Sequence, residues 1–382
     1  MAKAAFYISV LLIGYNYVLY PVLIILLARR CPDAGAALAS PDIPPTATLV
    51  IAAYNEERVI EAKIKNSLAL NYPKDQLHIL IVTDGSSDGT PDIVRRYAGQ
   101  GVRLLHEAAR RGKTAALNRA VAATTTDIVI FSDANNMFNE NALRELVKHF
   151  ADPRVGGVCG IKQIYSSPDR ESSLGDSLYW RYESAIKQAE SRFDSITNAD
   201  GEIFAIRRSL YKPIDESVIN DDAEITFSLV RQGYRVLYER AAASFEHASI
   251  RIEDDFYVKV RMVSGGFQTI ARHWWFLFPP RQWFTFAFVS HKLLRWLAPE
   301  LMIVIALTSL WLMEETRFLA VVILQIIFYS LAIAGWRARG QDHVSPLIYV
   351  PFYFCAMNLA ALLGLYRYIV RTQTTHWRKA ER

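Results

Sequence analysis

Hydrophobic residues are distributed unevenly along the chain, with long uncharged runs at both ends and short apolar runs between them. No charged residue lies between Lys3 and Arg29. As a helix, the stretch 6–27 would be about 33 Å long, enough to cross a hydrocarbon core of about 30 Å. A cleaved signal peptide is the alternative, but no small-residue cleavage site follows and the run exceeds a typical signal core. Three further apolar runs lie near the other end, at 297–313, 318–336 and 344–366.

The segment between these apolar ends alternates β-rich runs with stretches of helical periodicity. In 57–70, for example, Val59, Ile60, Ile64 and Leu68 recur at the spacing of one helix face. The predicted strands are 48–53, 78–83, 102–105 and 127–132, and the predicted helices are 57–70, 91–97, 113–122 and 140–150. This alternation predicts an α/β domain with a doubly wound, mostly parallel sheet.

Polar residues follow three of the predicted strands at the point where each strand ends. They are Tyr54-Asn55-Glu56, the run "DGSSDGT" that begins at Asp84, and Asp133-Ala134-Asn135. Ordinary turns and a helix N-cap would explain any one of them. In open α/β sheets, however, ligands bind outside the carboxyl ends of the strands. Three such ends on one edge therefore predict a ligand site, and their oxygen atoms suit a hard divalent cation.

The stretch "RRGKTAALN" places Lys113 at the start of a predicted helix. A helix N-terminus with a lysine is suited to a phosphate group. The pattern is not a Walker motif, because Glu107 stands where the first glycine of that motif would be. A solvated lysine is the alternative.

Charge and cysteine content exclude several classes of site. The net charge of the 382-residue chain is +5, and no alternation of basic and aromatic residues indicates nucleic-acid binding. Cys31, Cys159 and Cys355 are far apart and lack CxxC spacing. Neither a disulfide framework nor a zinc site is therefore predicted.

Basic residues beside the apolar runs predict the orientation of the chain in a membrane. Arg29 and Arg30 follow the first run, whereas only Lys3 precedes it. This places the N-terminus outside and the middle segment in the cytosol, with Arg337 and Arg339 also inside.

The last apolar run conflicts with this orientation. If 344–366 crosses the membrane once, the basic tail 371–382 lies outside, against the positive-inside rule. Pro346 and Pro351 could instead break the run into a re-entrant or interfacial piece. The segment 272–296 mixes aromatic residues with Arg281, Lys292 and Arg295, which predicts an interfacial amphipathic helix beside anionic lipid.

The motifs "AAYNEE", "VTDGSSDGT", "RRGKTAALN" and "FSDANN" together resemble the nucleotide-sugar half of family 2 inverting glycosyltransferases, which have the GT-A fold. The later stretches "GEIFAIRRSLY" and "INDDAEITFSLVRQGYRV" resemble the acceptor half in order and spacing. The resemblance covers roughly 46–268 and the layout of apolar runs. Within that family, the chain is similar to the membrane-bound group related to cellulose, chitin and hyaluronan synthases.

The resemblance implies a donor site and a metal, Mg²⁺ or Mn²⁺. Asp133 matches the first carboxylate of the family's DxD motif, but Asn135 replaces the second, which implies weaker metal binding. His247 is a further candidate metal ligand, with a structural role as the alternative. The donor-binding residues implied are Ala53, Tyr54, Glu56, Asp84, Lys113, Asp133 and Arg261.

Asp222 matches the general base of the family, in the pair Asp221-Asp222 before a predicted helix. A carboxylate there would take a proton from a sugar hydroxyl, although an N-cap is the alternative. Arg261 is what remains of the QxxRW motif of processive synthases, and Met262 stands where that motif has tryptophan, which puts long-chain processivity in doubt. On the acceptor side the resemblance implies Gly201, Phe204, Asp221 and Met262.

The expected function is transfer of a sugar, with inversion, to a glycan or polyprenyl-linked acceptor. The expected donor is a uridine-linked nucleotide-diphosphate sugar. The alternative is a weakly active nucleotide-sugar-binding subunit of a larger polysaccharide synthase. A dinucleotide-binding oxidoreductase fits less well, because no GxGxxG follows the first strand. The expected partners are the lipid bilayer and either further copies or synthase subunits, with no nucleic acid.

The expected organisation is a GT-A domain inserted between membrane anchors, in a bacterial inner membrane with the catalytic domain in the cytosol. Its parts are an N-terminal anchor (1–30), the GT-A domain (31–271), the interfacial segment (272–296), a C-terminal membrane region of two or three helices (297–370) and a basic tail (371–382).

Overall fold

The structure is a computed structural model that describes residues 1–31, 43–165, 172–247, 252–278, 282–339 and 344–373. Most of the basic tail predicted at 371–382 lies outside the described residues. The strands are β1 (Ala47–Ala53), β2 (Leu77–Asp84), β3 (Val102–Glu107), β4 (Ile128–Asp133), β5 (Met137–Phe138), β6 (Val155–Tyr165), β7 (Phe204–Arg207) and β8 (Arg235–His247).

The helices lie between these strands and at both ends of the chain. They are α1 (Ala2–Gly14), α2 (Tyr20–Ala28), α3 (Ile60–Leu68), α4 (Thr90–Arg95), α5 (Lys113–Ala122), α6 (Ala142–Val147), α7 (Ser172–Phe193), α8 (Asp221–Arg231), α9 (Ile252–Arg272), α10 (Gln282–Phe288), α11 (Leu294–Trp296), α12 (Ala298–Trp311), α13 (Thr316–Ala338) and α14 (Pro346–Ile369).

The strands of the described residues form one mixed sheet in the order β3-β2-β1-β4-β7-β6-β8-β5. β1 pairs in parallel with β2 and β4, and β3 continues the parallel half beside β2. β7 runs antiparallel to both β4 and β6, and β8 is parallel to β6. The predicted α/β domain with a mostly parallel sheet is confirmed.

Strand β1 lies at the centre of the parallel half and is buried on both faces. Leu49 and Ile51 belong to the core on one face of the sheet, and Val50 and Ala52 to the core on the other. This alternation follows from the two-residue period of a strand. Apolar residues of α3 and α6 cover the first face, and those of α5 and α8 the second.

The register of the parallel strands brings the predicted polar strand ends to one edge. Ala53 of β1 pairs with Thr83 of β2, and Ala52 pairs with Asp133 of β4. The residues that follow each strand therefore emerge side by side. This edge is where a ligand site is expected in a doubly wound sheet.

Most predicted boundaries agree with the structure within a few residues, and helix 113–122 has the predicted bounds. The predicted helix 57–70 is shorter, at Ile60–Leu68. Its first residues are held instead by the neighbouring loop. The backbone N–H of Glu56 donates to Thr90 Oγ1 at 2.8 Å, and that of Glu57 donates to Asp88 Oδ2 at 3.1 Å.

Three helices of the described residues are long and apolar enough to cross a membrane, namely Ala2–Ala28, Thr316–Ala338 and Pro346–Ile369. The first combines α1 and α2 through a π-helical turn at Tyr15–Leu19. A fourth candidate is the pair Trp283–Trp296 and Ala298–Trp311, which meet at a bend of 56°. The prediction of apolar helices at both ends of the chain is confirmed.

The last apolar run forms one helix, α14, in spite of its two prolines. Pro346 occupies the first turn, where the missing N–H would be unpaired in any helix. Pro351 lies inside the helix and forfeits one backbone hydrogen bond. Packing of α14 against α9 and α13 keeps the helix continuous. A break of this run at its prolines, one of the two possibilities left open by the sequence, is therefore wrong.

The segment 272–296 is built from a 3₁₀ turn at Trp274–Leu277, α10, a π-helical turn at Val289–Leu293, and α11. Trp274 and Trp283 are exposed, whereas His291 and Arg295 are buried. His291 and Arg295 thus point into the protein, whereas Trp274 and Trp283 lie on the outer surface and Phe276, Phe284 and Phe288 are buried in the core. Arg281 lies outside the described residues. Its location at a membrane interface stays a prediction.

Candidate active site

The loops after β1 and β2 are joined by hydrogen bonds, which fixes the first part of the site. Asn55 has a left-handed backbone with φ of 53°, and its side-chain oxygen accepts from the N–H of Ser87 at 2.8 Å. Tyr54 lies beneath Arg110, whose guanidinium is 3.8 Å from the ring centroid. Ala53 is buried at the end of β1.

Asp84 organises the loop that leads into α5. Its Oδ2 accepts the backbone N–H groups of Arg111 at 3.0 Å and Gly112 at 2.6 Å, and its Oδ1 lies 3.2 Å from Arg119. Gly112 has φ of +102°, a conformation that a residue with a side chain rarely adopts. The buried carboxylate therefore holds this loop against the end of β2.

Lys113 begins α5 and lies 2.6 Å from Asp133 Oδ1 at the end of β4. Burial lowers the pKa of Lys113, but the charges of Asp133, Asp221 and Asp222 outweigh burial and raise the pKa above its ordinary value. Lys113 is therefore cationic at neutral pH.

Lys113 also lines a cleft between α5 and α9. The lining residues are Gly112, Lys113, Thr114, Glu216, Val218, Ile219, Asp221 and Arg261. Two cations from distant parts of the sequence, Lys113 and Arg261, thus share one opening with a carboxylate of the Asp221-Asp222 pair.

Asp222 lies in the first turn of α8, beside Asp221. Its Oδ1 accepts the N–H of Ala223 at 2.7 Å. Burial, and then the neighbouring charge of Asp221, raise the pKa of Asp222 to about 6. A carboxylate with such a pKa is ionised at neutral pH and basic enough to accept a proton. Gly201 leaves room for it, since a Cβ on that glycine would lie 3.3 Å from Asp222 Cβ.

The N-cap position of α8 is Asn220, but no side chain caps this helix. Asn220 instead donates from Nδ2 to the carbonyl of Met262 at 2.8 Å. Arg261 donates to the carbonyl of Ile219 at 3.3 Å. These bonds tie α9 to the start of α8. The capping alternative for the acidic pair is therefore wrong, because neither aspartate occupies the N-cap position.

The predicted acceptor-side residues separate into two groups. Gly201 packs against Asp222 and Asp221 lines the cleft, whereas Met262 follows the cleft residue Arg261 and is 37% exposed. Phe204 is fully buried in the core between the sheet and α8. A direct contact between Phe204 and an acceptor is therefore wrong, because its position in β7 points the ring into the core.

The predicted metal site is only partly described. Asn135 Nδ2 lies 3.5 Å from Glu246 Oε2, and Glu246 is buried and paired with Lys162. His247 ends β8, and its side chain lies outside the described part of the structure. Within the described residues, no group of three or more His, Cys, Asp or Glu side chains is arranged to hold a metal ion.

Sequence reasoning missed two buried lysines beside the site. Lys63 of α3 donates to the carbonyl of Asn136 at 2.7 Å, beneath the loop that carries Asp133 and Asn135. Lys187 of α7 lies 2.8 Å from both carboxylate oxygens of Asp200. Lys63 was detectable, because it falls on the apolar face of its helix at the spacing of Ile60.

Part of the chain is similar to a known protein family and to several known proteins. Residues 48–214 match the family model described as "Glycosyl transferase family 2". The poly-beta-1,6-N-acetyl-D-glucosamine synthase of Staphylococcus aureus (strain COL) is 27% identical over 233 residues, which is 59% of this chain and 55% of the relative. The Staphylococcus epidermidis synthase of the same name is 25% identical over 236 residues. The chain thus spans about half the length of these relatives.

The structure is similar to that of the mannosyltransferase PcManGT from Pyrobaculum calidifontis, solved in complex with GDP-Man and Mn²⁺. The TM-score is 0.75, the sequence identity is 22%, and the match covers 98% of this chain and all of that one. At this identity the likeness establishes the fold. The chain therefore has the GT-A fold, and the part of it at 48–214 is similar to glycosyl transferase family 2.

Proposed function

We propose that this protein is an integral-membrane inverting glycosyltransferase that uses a nucleoside-diphosphate sugar as donor. The observation that carries the proposal is the arrangement of Lys113, Arg261 and Asp221 around one cleft at the carboxyl edge of the sheet, with Asp222 directly after Asp221 in the first turn of α8. Cations for a leaving diphosphate and a carboxylate of raised pKa are the groups that sugar transfer to a hydroxyl requires.

The nucleotide is proposed to bind along the ends of β1 and β2. Tyr54 supplies an aromatic face and Glu56 a polar side chain there, while Asp84 holds the loop that leads to α5. Lys113, at the N-terminus of α5, and Arg261 are proposed to bind the diphosphate. A helix N-terminus favours a phosphate, and a guanidinium matches phosphate geometry.

A divalent cation, Mg²⁺ or Mn²⁺, is proposed to accompany the diphosphate. Asp133 and Asn135 offer oxygen ligands at the end of β4, and His247 is a further candidate at the end of β8. This donor set fits an ion that is bound by one or two carboxylates together with substrate phosphates. Such an ion would offset the negative charge of the leaving diphosphate. Asn135 in place of a carboxylate predicts weak binding in the absence of donor.

Asp222 is proposed to be the general base. Its carboxylate would accept the proton of an acceptor hydroxyl while that oxygen forms a bond to the anomeric carbon. The bond between this carbon and the diphosphate oxygen breaks, and the diphosphate leaves with its electron pair. Attack from the face opposite the leaving group inverts the configuration, so that an α-linked donor gives a β-linked product.

The comparisons support different donors. The S. aureus relative is named for a polymer of N-acetylglucosamine, whereas the structural neighbour holds GDP-mannose. We favour a UDP-sugar, and a glycan or polyprenyl-linked acceptor in exopolysaccharide or cell-envelope synthesis, because the S. aureus and S. epidermidis relatives are named as synthases of a polysaccharide. A weakly active subunit of a larger synthase is the second candidate, favoured by the departures at Asn135 and Met262.

The catalytic domain is proposed to lie on the cytosolic side of a bacterial inner membrane. Arg29 and Arg30 directly follow the N-terminal apolar helix. Arg337 lies in the last turn of α13, and Arg339 follows that helix. Clusters of this kind favour the cytosolic side. Nucleotide sugars would then reach the cleft directly.

A donor panel tests the proposal. The purified chain in lipid nanodiscs is supplied in turn with UDP-glucose, UDP-N-acetylglucosamine and GDP-mannose, with Mn²⁺ or with EDTA, and with a lipid extract as acceptor. We expect release of nucleoside diphosphate from one donor, loss of release with EDTA, and a product heavier than its acceptor by one or more sugars. Binding without turnover of any donor would favour the subunit alternative.

A further inference from the structure

Among the described side chains of helix α7, those of Glu183, Lys187 and Glu190 are charged and buried and recur at helical spacing. Two of them connect α7 to the segments at either end of the chain. Glu190 accepts from Tyr20 of α2 at 2.8 Å, and His291 lies 2.8 Å from Glu190 and 3.0 Å from Glu183. The cations Lys292 and Arg295 also contact Glu183. These buried contacts of Glu183 and Glu190 hold α7 in position.

Lys187 is directed toward the candidate active site instead. Its Nζ lies 2.8 Å from both carboxylate oxygens of Asp200, and its side chain is only 3% exposed. The backbone N–H of Asp200 donates to Cys159 Sγ at 3.1 Å. The loop that contains Asp200 is therefore held both by α7 and by β6.

Asp200 directly precedes Gly201, the residue that packs against Asp222. Because a Cβ on Gly201 would lie 3.3 Å from Asp222 Cβ, any movement of this loop changes the space around the Asp222 carboxylate. The charge of Asp200 also acts on Asp222. Lys187 thus contacts the residue that precedes the wall beside Asp222, and its positive charge lies next to the negative charge of Asp200.

We propose that Lys187 is a positioning residue for Asp222, which clamps the Asp200–Gly201 loop against it and offsets the negative charge of Asp200. The proposal rests on the proposed function, because it takes Asp222 as the general base. Neither the sequence motifs nor the likeness to known proteins assigns a role to Lys187 or Asp200.

The charged groups around Asp222 come from several elements. Asp221 is on its own helix, Lys113 is on α5, and Asp200 is on the loop before β7. Asp221 and Asp200 raise the pKa of Asp222, and Lys113 lowers it. Removal of the Lys187 charge would leave Asp200 uncompensated, and removal of the Asp200 charge would leave Lys187 uncompensated.

The test is the pH profile of nucleoside diphosphate release, measured with the three-donor panel on the full chain in nanodiscs. A nearby charge shifts a carboxylate pKa by about one unit or more. We expect Lys187→Met to move the acidic limb of the profile up by about one pH unit and Asp200→Asn to move it down. The double variant K187M/D200N should return the limb close to its wild-type position, because it removes both charges.

Lys148→Met is the matched control. Lys148 is also a partly buried lysine with two carboxylate partners, Glu145 and Glu239, but these are not residues of the candidate site. The Lys148→Met substitution should lower thermal stability without shifting the acidic limb of the pH profile.

The proposal would be overturned if the acidic limb of the pH profile does not shift in Lys187→Met and Asp200→Asn, or if it shifts in the same direction in both. If Lys187→Met does not fold, a downward shift in Asp200→Asn that the double variant reverses supports the proposal, and no shift in either overturns it. Asp222→Asn separates the two ideas. If it retains turnover, the assignment of the base has failed and the proposal fails with it. If Asp222→Asn loses turnover while the acidic limbs of the Lys187 and Asp200 variants stay at the wild-type pH, only the proposal about Lys187 has failed.

Discussion

Three aspartates of the site have different surroundings, and their surroundings predict different chemistry. Asp84 accepts two backbone N–H groups and faces Arg119, so it is suited to holding a loop. Asp133 is paired with Lys113. Asp222 accepts one backbone N–H and lies beside another acid, which raises its pKa to about 6. Of the three, Asp222 has the environment of a proton acceptor.

Asp222→Asn should retain donor binding and lose transfer by about 10²-fold or more, because an amide cannot accept the proton. In the wild-type protein the base acts when ionised, so the rate should fall as pH drops through about 6. Donor affinity by calorimetry and turnover between pH 5 and 8 check both statements. Near-normal turnover in the folded variant would remove Asp222 from the mechanism.

The metal prediction also belongs to single residues. Asp133→Ala should abolish the effect of Mn²⁺ on donor binding, since few other carboxylates are available there. Asn135→Asp should tighten Mn²⁺ binding by roughly tenfold, because it adds a carboxylate ligand with a full negative charge. Titration of Mn²⁺ in the presence of each nucleoside diphosphate measures both. If neither variant changes the affinity, the "SDANN" stretch is only a turn.

The sequence allowed the residue types of the site to be predicted, but not all of their contacts. Lys113, Asp133 and Asp221 are near one another, as expected. The bonds of Asp84 to the backbone of Arg111 and Gly112 depend on the conformation of a loop and on Gly112 at φ of +102°, which no motif specifies. Phe204 was misassigned because its strand direction within the sheet decides whether it faces the cleft or the core.

At the scale of elements, helices and strands with a local hydrophobic pattern were predicted better than elements held by contacts between distant parts of the sequence. The parallel strands and α5 have local hydrophobic patterns, and their bounds were close to those predicted. Helix α7 was not predicted, although it has 22 residues. Its stripe of Glu183, Lys187 and Glu190 is charged like a solvated face. It is buried because the partners of the two glutamates come mainly from residues about a hundred positions later, such as His291.

Glu183→Gln tests how far α7 depends on these ionic contacts. Removing the charge leaves buried cations uncompensated, a change that costs about 3 kcal/mol or more. We expect the apparent melting temperature in nanodiscs to fall by roughly 5 °C or more.

The control variant for this prediction is Glu253→Gln. Its carboxylate is 54% exposed and lies 3.4 Å from Arg339. An exposed pair of this kind contributes at most about 1 kcal/mol, so the melting temperature should hardly change. Equal effects of the two substitutions would mean that the ionic contacts of α7 do not stabilise the fold.

At the scale of the molecule, the structure joins the candidate catalytic cleft to helices that could cross a membrane. α9 connects the two parts, because it carries Arg261 at the cleft and packs against α14. The overall layout was predictable from the hydrophobic runs. The bend of 56° at 283–311 was not, because helix direction depends on packing rather than on composition.

Product length tests what the acceptor side can do. Met262 is exposed beside the cleft, and methionine is a poorer stacking surface for a sugar ring than an aromatic side chain. We expect the isolated monomer to make single or short additions, and Met262→Trp to lengthen the products while the initial rate of donor use stays similar. Mass spectrometry of products from monomer-containing nanodiscs measures this. Long polymer from a demonstrated wild-type monomer, with no other subunit present, would refute it.

The configuration of the new glycosidic bond tests the central claim most directly. If the cleft holds the diphosphate between Lys113 and Arg261 while Asp222 activates the acceptor on the opposite face, an α-linked donor gives only the β-anomer. The measurement is the ¹H NMR spectrum of the product that the purified chain makes from the donor selected by the panel. A product with a β-linkage, absent from Asp222→Asn, is the predicted result. A product with an α-linkage, or release of free sugar alone, would contradict the account.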